Sequence, residues 1–309
     1  MVRANTFFEV STRRDSSYQA SKRLRMARPA PDTSYFGIHI ATFPMNMSKP
    51  LMHFLPEVDA RIQSADRVAL FLDFDGTLAP IVADPANAQM SDAVRDVLRR
   101  VVGLDSIVTT VISGRAVEDL YVRVRVDNVI YSGNHGLEIF GRGLRFVEPE
   151  ADARRDQLRR LTELLAGRLH HIPGVKVEDK GLTTSIHFRQ AAEEDVPAIE
   201  QAVRASVAAA GSWFRLNTGR EVFEIVPRTG WHKGAAVEWI LRHLSGGLLP
   251  IYLGDDNSDE DAFAVLKDGV TVRVGGPPAT CAQYGVPGPA DVYRFLVWLE
   301  DRAAARTAA

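Results

Sequence analysis

Cysteine is almost absent: of 309 residues, only Cys281 carries a thiol. One thiol excludes an intrachain disulfide framework and any metal site built from several cysteines. It makes a reducing cytoplasm the expected compartment. Long apolar runs are missing as well. No segment reaches the roughly 18–20 apolar residues of a membrane span, and the first residues lack the apolar core of a secretory signal. Neither sign of charge is in excess: 37 Lys and Arg face 39 Asp and Glu, for a net charge of −2. That balance favours neither nucleic acid nor a membrane surface as a partner. Internal repeats and low-complexity domains are lacking too. What is there is the composition of a soluble globular chain, long enough for one large or two ordinary domains.

Residues 1–50 differ from the rest. Arg13, Arg14, Lys22, Arg23, Arg25 and Arg28 make a basic segment with scattered Ser and no sustained period. Arg and Ser suit an organelle transit peptide, but Glu9, Asp15 and Asp32 run against one. The reading adopted is a disordered extension, or a start placed too early with Met45 or Met47 as the true first residue.

From residue 66 strands alternate with helices. The apolar run Val68–Leu72 reads as a strand buried on both faces. Ser91 caps a helix with Val94, Val97, Leu98 and Val101 on one face. Ile107–Ile112 is a second buried strand, and Val129–Tyr131 a third. Such alternation implies a parallel sheet with right-handed crossovers. Between 137 and 226 the pattern changes to hairpins and two helices, an α+β block with a largely antiparallel sheet. The α/β pattern then resumes, with a strand at Leu248–Leu253, a helix capped by Ser258, and a strand at Val270–Val274. The predicted organisation is a Rossmann-like parallel-sheet core, 66–136 and 227–300, interrupted by an α+β insertion, 137–226.

The first strand runs into Asp73-Phe74-Asp75-Gly76-Thr77-Leu78. In open α/β sheets ligands bind beyond the carboxyl ends of the strands. Two carboxylates there repel each other and need a cation. Mg²⁺, with oxygen ligands and retained waters, suits them. Three further polar groups fall at strand ends or a helix start: Ser113, Lys233, and the acids Asp255, Asp256 and Asp259. This order resembles the four motifs of the haloacid dehalogenase-like phosphohydrolases.

That resemblance implies roles. Asp73 is the expected nucleophile, forming an aspartyl-phosphate. Asp75 is the expected acid and then base. Ser113 and Gly114 should bind the phosphoryl group, with Lys233 bridging it to Asp73. Asp255, with Asp73 and the backbone carbonyl of Asp75, should hold Mg²⁺, with Asp256 and Asp259 as further ligands or as supports for the ligands. His232, Trp231 and Asp261 read as a loop residue, core packing and a capping acid.

Longer stretches narrow the match. Ser113-Gly114-Arg115, Gly133-Asn134-His135-Gly136-Leu137-Glu138, Gly219-Arg220-Glu221-Val222-Phe223-Glu224, Trp231-His232-Lys233-Gly234 and Gly254–Phe263 together resemble the trehalose-6-phosphate phosphatase family. The resemblance covers about residues 66–298. It implies that the inserted block is a cap closing over the sugar. The expected sugar-contacting residues are Arg115, His135, Glu138, Glu224 and Arg220, the last where the family has Lys. Lys180 and His187 are secondary candidates. The implied reaction is Mg²⁺-dependent hydrolysis of trehalose 6-phosphate, functionally linked to a trehalose-phosphate synthase. The alternatives are another sugar phosphatase, such as one for sucrose phosphate, or a non-catalytic sugar-phosphate-binding module.

Overall fold

The structure is a computed structural model, and it describes residues 46–307 apart from 220, 277 and 278. The expectation for residues 1–50 therefore lies almost wholly outside the described residues, as does that for Arg220. Two short strands, β1 (Asn46–Met47) and β2 (Lys49–Pro50), precede helix α1 (Leu55–Ser64). Next come β3 (Arg67–Asp73), α2 (Asp92–Val102), β4 (Ile107–Ile112), α3 (Val117–Val124) and β5 (Ile130–Gly133). A hairpin follows, β6 (Glu138–Gly141) and β7 (Leu144–Val147), then α4 (Pro149–Asp152) and α5 (Arg155–Leu169). Strands β8 (Lys176–Asp179) and β9 (Thr184–His187), helix α6 (Val196–Ala209), and strands β10 (Phe214–Gly219) and β11 (Val222–Pro227) form the next group. The chain ends with α7 (Lys233–His243), β12 (Leu248–Gly254), α8 (Glu260–Val265), β13 (Val270–Val274), β14 (Ala279–Thr280), β15 (Tyr284–Val286) and α9 (Pro289–Thr307).

Nine strands make the main sheet, in the order β2-β15-β13-β12-β3-β4-β5-β6-β7. The pairs from β2 to β5 are parallel, and only β5–β6 and β6–β7 are antiparallel. β3 is buried on both faces, as its uninterrupted apolar run requires. Val68, Leu70 and Leu72 pack with residues of α1, α2, α3 and α9 on one side. Ala69 and Phe71 pack with Ala236, Val237 and Ile240 of α7 and Ala262 of α8 on the other. The result is a three-layer α/β core, the Rossmann-like arrangement expected.

A second sheet, β10-β11-β9-β8, is wholly antiparallel. Its apolar face and helices α5 and α6 share a core of their own, with Leu161, Leu165, Ile186, Ile199, Val203, Phe223 and Ile225 fully or nearly fully buried. The hairpin 138–147, expected within this block, belongs instead to the main sheet. Ile139 is the reason: at 1 % exposure it packs beside Ile130 and Ile112, and its strand pairs with β5 in the register Ser132↔Ile139. Another difference concerns the turn after β12. Asp256, not Ser258, is the helix cap there, in a reciprocal capping box with Asp259. Among the described residues no helix is long and apolar enough to cross a membrane.

Candidate active site

β3 lies between β12 and β4, with β4 beside β5, so the carboxyl ends of these four strands share one edge. Asp73 closes β3, Ser113 follows β4, Asp255 follows β12, and Lys233 opens α7. The topology thus assembles groups up to 182 residues apart in sequence, from Asp73 to Asp255.

Lys233 joins the acids. It is 2 % exposed and donates to Asp73 Oδ1 at 2.8 Å and to Asp259 Oδ1 at 2.7 Å. Asp259 also accepts from the Tyr252 hydroxyl at 2.6 Å and from the Asp256 N–H at 2.9 Å. Burial opposes the charge on Lys233, but the two carboxylates outweigh it and hold the ammonium protonated far above its ordinary range. Burial lifts the Asp73 carboxyl well above the usual range against the pull of Lys233, with repulsion from Asp259 and Asp255 adding to it. Burial, and then the charge of Asp259, push Asp255 up to about 7.

These are the marks of a site short of positive charge. Asp73, Asp255 and Asp259 each bring one carboxylate oxygen within 4.8 Å of the others. Oδ1 of Asp255 is buried without a hydrogen-bond partner. Gly76, at φ +82°, leaves room for the Asp255 carboxylate that any Cβ would strike. Hard oxygen donors that repel each other, one of them unpaired, fit a divalent cation. Of the carboxylates expected at the metal, that of Asp256 is not in this group, and the expectation for Asp75 concerns its backbone carbonyl. Asp256 Oδ2 accepts from the Ser258 hydroxyl at 3.2 Å. Its side chain is committed to the helix cap.

Asp75 faces Arg115. The guanidinium grips both carboxylate oxygens, Nε to Oδ2 at 2.6 Å and Nη2 to Oδ1 at 2.7 Å. It also donates to Asp119 at 2.9 Å and to the Pro85 carbonyl at 2.8 Å. Arg115, expected at the substrate, is thus held by two acids. Ser113, 2 % exposed, accepts from the Arg115 N–H at 3.2 Å. Glu138 is also spent elsewhere. Its Oε1 accepts from the Val117 N–H at 2.9 Å, closing the start of α3, and from Asn134 Nδ2 at 2.7 Å.

The second sheet meets this edge through three expected residues. Glu224 Oε2 lies 2.8 Å from His135 Nε2, and its Oε1 accepts from Lys180 Nζ at 3.2 Å. Lys180 Nζ also donates to the Gly114 carbonyl at 3.1 Å. Burial works against ionising Glu224, but His135 and Lys180 overcome it and hold the carboxyl well below the usual range. His187 pairs with Glu178 at 2.8 Å, apart from this cluster. Sequence reasoning missed Tyr252, whose hydroxyl is hidden inside an apolar strand run. It also passed over Thr183 and the roles of Asn134, which only the fold brings together.

Residues 71–284 match the family described as trehalose-phosphatase. The probable trehalose-phosphate phosphatase 4 of Oryza sativa subsp. japonica is 33 % identical over 294 residues, covering 92 % of this chain and 78 % of the relative. The trehalose-phosphate phosphatase of Mycobacterium avium is 37 % identical over 247 residues, covering 76 % of this chain and 62 % of the relative. Among solved structures, the C-terminal domain of the C. albicans trehalose-6-phosphate phosphatase superposes with a TM-score of 0.68 at 22 % identity. It covers 83 % of this chain and 99 % of that one. This last likeness shows the fold.

Proposed function

The chain belongs to the trehalose-phosphatase family of phosphoric monoester hydrolases, and from there we propose that it hydrolyses trehalose 6-phosphate to trehalose and phosphate. The observation that carries the reading is Lys233 lodged between Asp73 and Asp259, with the unpartnered Asp255 carboxylate beside them. A neutral disaccharide offers hydroxyls to Glu224, Lys180 and His135, and the carboxylate and ammonium among them form strong charge-assisted bonds. The block carrying the second sheet, 148–226, acts as a cap. Its side chains reach the core at Gly114, at His135, and through Arg189 Nη1 at the Val82 and Ala83 carbonyls, 3.0 and 2.9 Å away.

In the mechanism we assign, an Asp73 carboxylate oxygen bonds to phosphorus while the bond from phosphorus to the sugar oxygen breaks. Lys233 holds Asp73 in line and offsets charge on a phosphoryl oxygen. Ser113 and Gly114 present the turn that receives the phosphoryl group. Asp75 gives its proton to the departing sugar oxygen, then takes one from the water that releases phosphate and restores Asp73. For that transfer Asp75 turns from Arg115. Asp73 and Asp255 would hold Mg²⁺, with Asp259 fixing Lys233. When bound, the ion supplies neutralisation of the clustered carboxylates and phosphoryl oxygens. The lone Cys281 supports a cytoplasmic setting, and the substrate calls for a trehalose-phosphate synthase upstream.

Phosphate release across a panel of sugar phosphates, with and without chelator, tests the reading. Fastest turnover of trehalose 6-phosphate, lost on chelation, is expected. Comparable or faster turnover of sucrose 6-phosphate would overturn the substrate. Binding of a sugar phosphate without release from any would make the chain a sensor rather than an enzyme.

A further inference from the structure

Asn134 has no part in the chemistry assigned above, yet it is fully buried and both ends of its amide are engaged. Nδ2 donates to the Lys180 carbonyl at 3.0 Å and to Glu138 Oε1 at 2.7 Å. Oδ1 accepts from the Thr183 hydroxyl at 2.7 Å. Lys180 and Thr183 lie in the turn joining β8 to β9. The next residue, His135, reaches a different strand of the same sheet through Glu224. Asn134 and His135 both have positive φ, 48° and 58°, a region where Asn is among the few side chains tolerated. The bend sends two consecutive side chains into the second sheet.

Their backbones face the other way. The Asn134 N–H donates to the Arg115 carbonyl at 2.7 Å, and the His135 N–H to the Ser113 carbonyl at 2.9 Å. The His135 ring covers Gly114 so closely that a Cβ there would lie 2.6 Å from Cε1. Lys180 closes the circuit by donating to both Gly114 and Glu224. One bend therefore reads the 113–115 turn with its backbone and the second sheet with its side chains.

We infer that Asn134 is a positioning residue that fixes the 180–183 turn against the 113–115 turn, so that Lys180 stands where the sugar and phosphate halves of the site meet. The inference rests on the sugar-phosphate reading of that site. Buried networks of this kind rigidify when every member is satisfied. Loss of the amide leaves the Lys180 carbonyl and the Thr183 hydroxyl without partners. A substrate that needs Lys180 and Glu224 should feel that loss. A substrate that uses only Asp73, Ser113 and Lys233 should not.

The test compares Asn134→Gly, Thr183→Val and the double variant on trehalose 6-phosphate and on p-nitrophenyl phosphate. Glycine adopts the positive φ freely, so the bend survives while the amide is removed. Each single variant should raise KM for the sugar phosphate by about tenfold, and the double by no more, with kcat/KM for the aryl phosphate within about threefold of wild type. Amide deuterium exchange over 176–188 should quicken in both singles. Equal losses on the two substrates, additive effects or an unchanged KM would overturn the inference. Should wild-type protein ignore trehalose 6-phosphate, the functional reading falls, and exchange over 176–188 then judges the inference alone: quickening in both singles upholds it, no change overturns it. If Asn134→Gly does not fold, Thr183→Val alone carries the same comparison.

Discussion

Replacing Lys233 by Met is the most informative perturbation of the site. The ammonium is buried and 2.8 and 2.7 Å from carboxylates of Asp73 and Asp259. At an effective dielectric near 20, each such pair is worth about 6 kcal/mol of Coulomb energy. Desolvation of the ions consumes much of that. Removing one partner of a buried set and stranding the rest costs about 3–5 kcal/mol. For a domain of this size that corresponds to a fall in Tm of roughly 6–20 °C. The assay is thermal unfolding in excess chelator, so that no added cation stands in for the lost ammonium. Adding Asp259→Asn to Lys233→Met should recover part of the loss, because a stranded charge disappears while the Tyr252 hydroxyl keeps an acceptor. A Lys233→Met protein that melts within about 2 °C of wild type in chelator would refute the view that these charges depend on one another.

Asp73→Asn should abolish phosphate release, by at least about 10³-fold, without lowering Tm, since it removes the nucleophile and one of several repelling charges; substantial residual turnover would contradict a covalent route. Mg²⁺ at 100 times its Kd should stabilise the fold by about 2.7 kcal/mol, and a melt indifferent to Mg²⁺ would count against a preformed cation site. Glu224 sets a pH dependence. Its folded carboxyl lies below the unfolded value of about 4.3, so its stabilising contribution is complete above that value and fades as pH falls below it. The stability gap between wild type and Glu224→Gln, measured by urea unfolding, should therefore narrow from pH 6 to pH 3. A gap that stays constant would show that the contacts of Glu224 with Lys180 and His135 contribute nothing.

Much of the fold was legible because its strands are strongly patterned. Ile107–Ile112 and Val270–Val274 are observed at the boundaries their apolar runs suggest, and Ser91 caps α2 by accepting from the Val94 N–H. Elements that depend on a neighbour were not legible. Tyr284–Val286 is three residues long with a central glycine, and it is a strand only because β13 and β2 flank it. The hairpin 138–147 carried a clear turn at Arg142-Gly143, but which sheet it joins is decided by Ile139 finding Ile130, a matter of packing rather than local pattern.

The site divides along the same line. That Asp73 and Asp255 meet follows from parallel topology, since strand ends in one sheet share an edge, whereas Lys233 reaches them from the start of α7. Which acid engages which cation does not follow, because it is a competition among groups distant in sequence. Asp75 illustrates this. Two positions from Asp73 on an extended chain, its side chain could be assigned to the same pocket, yet the planar fork of Arg115 offers two parallel bonds that a point charge cannot match. Glu138 likewise pairs with a donor that sequence does not reveal, the Val117 N–H that begins α3. Glu224 went the other way because Lys180 and His135 both converge on it. The residue types therefore announce a phosphoryl-transfer site. Which partner each candidate acid takes is decided by the donors the fold brings within reach, an arginine for Asp75, a helix start for Glu138, and a lysine with a histidine for Glu224.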